Sequence, residues 1–118
     1  MAQVEIPKQW RDTVCAILAS GDKKLIRWDP TGWKRYEATP GCLWAYEADD
    51  AFRAFLCGPC PTGCLREMDT PPGETYEFFF TFKRQTLYGK ILLRTDRKRI
   101  VVFSAHLPLK GDKLSCDD

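Results

Sequence analysis

The sequence predicts an α+β domain: two N-terminal helices packed on a mainly antiparallel sheet that ends in a three-stranded meander. Three observations carry this expectation. Apolar residues recur at helical spacing in the first half of the chain. From Glu74 to His106 they alternate with period two. Between these regions lies a stretch punctuated by Pro59, Pro61, Gly63, Pro71, Pro72 and Gly73. At 118 residues the chain suits a single domain, with a helical and loop-rich half at 1–73, a meander at 74–108 and a tail at 109–118.

Taken in order, Pro7 to Ser20 reads as a helix because Trp10, Val14, Ile17 and Leu18 share a face, Pro7 suits the entry and Gly21 the exit. Lys24 to Trp28 reads as a short extended segment, Asp29-Pro30-Thr31-Gly32 as a turn, and Trp33 to Glu37 as a second extended piece. Ala48 to Leu56 gives the second helix. Its stripe is Phe52, Phe55 and Leu56, and Glu47, Asp49 and Asp50 complement the positive end of its dipole. Gly58 to Gly73 reads as a loop, and Gly111 to Asp118 is expected to fray.

The meander divides by parity, since successive strand residues point to opposite faces. Tyr76, Phe78, Phe80 and Phe82 fall on one face, joined by Leu87, Gly89, Ile91 and Leu93 when Phe82 pairs with Leu87 across a turn at Lys83 to Thr86. Glu77, Phe79, Thr81, Tyr88, Lys90 and Leu92 fall on the other. In the third strand Val101, Phe103 and Ala105 oppose Val102, Ser104 and His106. Pairing Leu93 with Val101 through a turn near Asp96 sets Tyr88 opposite His106.

The net charge of +2 hides an asymmetry. Nine basic and two acidic residues between Lys83 and Lys113 give that segment +7, leaving −5 elsewhere. Such a distribution suits a polyanion such as RNA meeting the C-terminal half; the competing reading is a set of solvated turn positions. No apolar run of about 18 residues could span a bilayer. The start MAQVEIPKQW lacks the regions of a signal peptide, so a cytoplasmic protein with no membrane association is expected.

Cys57-Gly58-Pro59-Cys60 matches a redox dithiol motif, but it follows a helix instead of preceding one, where a helix N-terminus would stabilise a thiolate. Cys42, Cys57, Cys60 and Cys64 could hold zinc or pair as disulfides, although their spacing is not that of two paired CxxC units. The blander reading keeps them reduced, with Cys15 packing on the first helix and Cys116 a free thiol in the tail.

Metal-independent RNA cleavage needs an acid/base group for the ribose 2′-OH and fixed positive charge at the phosphate. His106, the sole histidine, has the right intrinsic pKa. Tyr88, Lys90, Glu77 and Arg53 complete the candidate catalytic set, with Glu77 as a base or as a partner of His106, and Arg53 at the sheet rim. Lys83, Arg84, Arg94 and Ser104 are candidates for substrate binding. No metal or other cofactor is expected.

The order of helices followed by YEFFF…LYGKI…IVVFSAH resembles the RelE-superfamily toxins of bacterial toxin–antitoxin systems, most closely the MqsR-type mRNA interferases, over roughly Ala48 to His106. Tyr88-Gly89-Lys90-Ile91 matches the family's Y-x-K-I strand, and Val102 to His106 its V-x-S strand closed by a basic residue. Arg53 stands where the family has a helical lysine. The family's catalytic glutamine has no clear match, Glu74 and Thr75 being nearest, and arginine or histidine replaces lysine at two positions, which keeps charge but alters proton transfer. The resemblance implies an mRNA-cleaving hydrolase with an antitoxin protein as partner. The reading from another class is a non-catalytic module that binds nucleic acid or protein through a basic sheet face.

Overall fold

The computed structural model describes residues 3–66, 72–108 and 113–116. In chain order the elements are β1 (Val4–Glu5), α1 (Lys8–Ser20), β2 (Ile26–Trp28), α2 (Pro30–Ala38), α3 (Ala45–Leu56), β3 (Thr62–Arg66), β4 (Gly73–Phe82), β5 (Gln85–Arg94) and β6 (Ile100–His106). One six-stranded sheet runs β1-β3-β4-β5-β6-β2, antiparallel throughout except where β2 lies parallel to β6. The architecture is the α+β arrangement expected, with one more helix and a wider sheet. No helix among the described residues is long and apolar enough to cross a membrane.

All three helices cover the same face. Trp10 of α1 meets Tyr76 edge to face, Tyr36 of α2 meets Phe82, and Phe52 and Phe55 of α3 meet Phe78. Tyr76, Phe78, Phe80 and Phe82 of β4 are therefore the floor of the main core, as their parity predicts, and Trp10, Val14, Ile17 and Leu18 are buried in the same core.

Segment Asp29 to Glu37 corrects the turn-and-strand expectation. Asp29 caps α2 by accepting from the Gly32 amide at 3.1 Å, and Pro30 occupies the first helical position. An Asp-Pro pair opens a helix as readily as a turn, and Trp33 and Tyr36, three residues apart, supply the inward stripe. The loop expected over Gly58 to Gly73 also contains a strand, since β3 pairs with β1 on one side and β4 on the other. Its continuation over 67–71 lies outside the described residues.

Two details of the meander differ from the parity argument. The β4–β5 turn has two residues, Lys83 and Arg84, both at positive φ (46° and 68°), so Phe82 pairs with Gln85 and not with Leu87. The difference is two residues, which preserves the faces. In β6 the register is Leu93 with Ile100 as far as Ile91 with Val102, then Lys90 with Ser104. Phe103 is the extra residue of a bulge. Val102 consequently joins the main core with Ile100 and Ala105, while Val101 turns to the other face. The same bulge restores Tyr88 opposite His106.

The bulge also fixes how α2 docks. A Cβ on Gly32 would lie 2.1 Å from the Phe103 carbonyl oxygen. Gly32→Ala gains about 1 kcal/mol of helix propensity, yet it forces backbone against backbone at a cost of about 2–3 kcal/mol. A net loss of about 1–2 kcal/mol is expected in urea unfolding, and a neutral result would mean that α2 can move away from β6.

Candidate functional site

The sheet face turned away from the helices carries Glu77, Tyr88, Lys90, Ser104 and His106, together with Cys64 and Arg66 from β3. Cross-strand register makes them neighbours: Cys64 faces Glu77, Glu77 faces Lys90, Lys90 faces Ser104, and Tyr88 faces His106. Expectation and structure agree on this grouping. The face is covered: Glu77 is 2% and His106 5% exposed.

What closes the face is the C-terminal tail. Cys116 forms a disulfide with Cys64, and the register of Cys64 against Glu77 then brings Ser115 within reach. The Ser115 amide donates to Glu77 Oε1 at 2.6 Å and its hydroxyl donates to the same oxygen. Leu114 is buried, as are Leu92 and Val101 of the sheet on the face opposite the main core. The free Cys116 thiol and the frayed terminus expected from the sequence are thus corrected for 113–116: this segment is a strap. Residues 109–112, 117 and 118 lie outside the described residues.

Glu77 Oε2 accepts the Tyr88 hydroxyl at 2.5 Å. Burial opposes the charge of Glu77, but the Ser115 and Tyr88 hydrogen bonds outweigh it and hold its carboxyl below the usual range. A carboxylate so committed is a poor base, and its bonds run to Tyr88 and Ser115 instead of His106. Burial, then the bond to Glu77, raises the Tyr88 phenol. Lys90 is lowered, first by burial and then by Arg66, and its ammonium lies 5.4 Å from the centre of the Phe103 ring.

The Tyr88 and His106 rings lie 5.5 Å apart. His106 Nδ1 is 2.7 Å from the Leu107 carbonyl oxygen. Since a carbonyl only accepts, Nδ1 bears the proton, and in the neutral ring Nε2 holds the lone pair that a general base needs.

Arg53 is not brought to this face. It belongs to α3, in the helical layer, half-exposed and 3.8 Å from Asp50. Lys83 is committed elsewhere, to Glu47 at 2.7 Å and the Gly41 carbonyl at 3.0 Å. Arg84 shares its turn, Arg94 ends β5 with the parity of Lys90, and Ser104 is buried on the site face. The cation that the sequence reading missed is Arg66, hidden in the segment assigned to a loop.

The chain matches no protein-family model, no curated protein and no solved structure.

The other thiols are dispersed. Cys57 caps the end of α3 with its thiol 3.2 Å from that of Cys15, whose pKa is pushed up to about 12 by burial and then by Cys57. Cys42 is buried and Cys60 exposed. Cys42, Cys57, Cys60 and Cys64 therefore do not form one cluster, and no three His, Cys, Asp or Glu side chains among the described residues are arranged to hold a metal ion.

Proposed function

We propose that this chain is a metal-independent endoribonuclease whose substrate face is the one beneath the strap. The observation that carries the reading is the register that sets Tyr88 opposite His106 and Lys90 opposite Ser104 on a single face. With the strap displaced, His106 Nε2 takes the proton of the ribose 2′-OH, which attacks the phosphorus. Arg66 and Lys90 neutralise the phosphate, and Tyr88, released from Glu77, donates to a phosphate oxygen. Lys90, whose lowered pKa makes it the better acid, protonates the departing 5′ oxygen. The products are a 2′,3′-cyclic phosphate and a 5′-OH. Resemblance to the MqsR-type interferases supports a cytoplasmic toxin that acts on mRNA and is held by an antitoxin protein.

Single-stranded RNA incubated with reduced protein in EDTA is expected to yield cyclic-phosphate ends, and His106→Ala to lower the rate at least 100-fold. Lys90→Ala should lose the reaction while Arg53→Ala keeps it. Equal cleavage by wild type and His106→Ala would remove the assignment.

A non-catalytic nucleic-acid- or protein-binding module is the second reading. It is favoured by the commitment of both Glu77 oxygens to partners within the chain. It is preferred if RNA is retained with steep salt dependence and no product forms.

A further inference from the structure

On the far side of the molecule from the strap, β2 and the chain leading into it, α2, α3 and the loop between these helices line an open groove of about 850 Å³ whose lining includes Trp28, Trp33, Trp44, Tyr46, Leu43 and Asp49. This volume is in the range of ligand sites. Trp28 and Trp33 meet edge to face at 5.1 Å, and the Tyr36 hydroxyl fixes the loop by donating to the Trp44 carbonyl at 2.7 Å.

Two independent features point to an occupant. Asp49 is 8% exposed, its Oδ1 has no hydrogen-bond partner, and among the described residues no lysine or arginine forms an ion pair with it. A buried carboxylate oxygen without a donor is costly. Beside it, Leu43, Trp44 and Tyr46 are 68%, 59% and 63% exposed, consecutive or nearly so along the chain, and form an apolar rim. Contiguous exposed apolar surface of this kind marks contact with a partner.

The chemistry selects the partner. Aromatic faces attract cations, and Asp49 with Glu37 outweighs Lys23 among the charges of the lining. A phosphate-bearing ligand would meet these carboxylates and be repelled. An organic cation with N–H donors satisfies both Asp49 and the rings. The rim is larger than an ammonium group needs, so the cation comes with apolar neighbours.

We propose that this groove binds a partner peptide through a lysine or arginine side chain flanked by apolar residues, the cation reaching Asp49 between the tryptophans and the flanks covering Leu43, Trp44 and Tyr46. It is independent of the ribonuclease reading, since it uses the opposite side of the sheet and none of that site's residues.

The test is titration of the ¹⁵N-labelled full chain, read at the tryptophan indole resonances, with acetyl-Ala-Leu-Lys-Leu-Ala-amide and with the same peptide carrying norleucine for lysine. The lysine peptide is expected to shift the Trp28 and Trp44 signals and to bind at least tenfold more tightly. Asp49→Asn should erase that difference while leaving the weaker apolar binding, and Trp44→Ala, an exposed change that keeps the backbone carbonyl used by Tyr36, should weaken both peptides. Equal binding of the two peptides would overturn the proposal, as would the absence of any shift. Butylammonium binding as tightly as the peptide would replace the peptide with a small amine and overturn it too. Displacement of the lysine peptide by oligouridylate would assign the groove to RNA instead.

Discussion

Cys116→Ser is expected to produce the largest loss of stability in this protein, about 4 kcal/mol, and to raise RNA binding or cleavage at least tenfold. The stability figure comes from loop closure. The bond joins residues 52 apart, and cross-linking a loop of that length removes about 4 kcal/mol of unfolded-state entropy. Against a total of about 5–15 kcal/mol for a domain, that loss is severe. Two further measurements therefore separate opening from unfolding. Wild-type protein compared with and without dithiothreitol should show the same gain in RNA activity, with amide exchange rising first around Glu77, Tyr88 and His106. Ser115→Ala leaves the disulfide in place and removes only the hydroxyl on Glu77, so its gain should be intermediate. An oxidised wild type as active as the reduced protein would mean that the strap does not gate the face. Should the ribonuclease reading fail but the strap still open, the exchange experiment alone would report it.

If the protein works in a reducing cytoplasm, this bond gains its interest there. Disulfides persist poorly there, so on the cytoplasmic reading the Cys64–Cys116 link is the element most sensitive to surroundings. Loss of the covalent tie leaves Ser115 held by its two bonds to Glu77 and by burial of Leu114. On the ribonuclease reading, polyanionic RNA attracted by Arg66 and Lys90 would compete directly with that residual hold.

The meander was legible because its period is strict. Tyr76, Phe78, Phe80 and Phe82 can only be one face, and any even-numbered shift of register leaves them there. The pairing of Tyr88 with His106 came out correctly although Leu93 pairs with Ile100 and not with Val101, because the Phe103 bulge adds back the missing residue. Nothing in Ile100-Val101-Val102-Phe103 marks where a bulge falls; the close approach of Gly32 to the Phe103 carbonyl is visible only in the folded chain, and that is tertiary information. The same limit hid α2, whose Asp-Pro opening serves turns and helices alike.

The strap was hidden for a different reason. Six cysteines allow many pairings, and spacing alone does not choose between them. One signal did exist. Leu92, near the end of β5, and Phe79 of β4 sit together on the face read as polar, and grouped apolar residues on one face point to something that covers it. Leu92 is fully buried there, next to Val101, its partner in the β5–β6 ladder. A polar face that carries such residues is one that something covers.

Asp49→Asn is expected to stabilise the protein at pH 7 by about 1–2 kcal/mol and to do nothing at pH 4. Burial, and then the charge of Asp50, lifts the Asp49 carboxyl from 3.8 to about 6. In the unfolded chain the group loses its proton near its ordinary value, whereas the folded protein holds the proton until about pH 6. Between these values the native state binds more protons than the unfolded state, so stability falls as pH rises through the window and levels off above it. The full shift would correspond to about 3 kcal/mol at about 1.4 kcal/mol per unit, and the carboxyl's remaining contact with solvent reduces this to about 1–2 kcal/mol. Asparagine removes the charge at every pH, so the variant's advantage should grow between pH 4 and 6 and then stay constant. Glu77 works in the opposite direction: its carboxyl is lowered, so its contribution is present above the ordinary carboxylate range and is lost as pH falls through the folded value. Urea midpoints of wild type and Asp49→Asn at pH 4, 5, 6 and 7 decide the matter. A constant offset between wild type and Asp49→Asn across that range would mean that the carboxyl ionises in the folded state as it does in the unfolded chain, and a loss of stability at pH 7 would mean that Asp49 already has a partner.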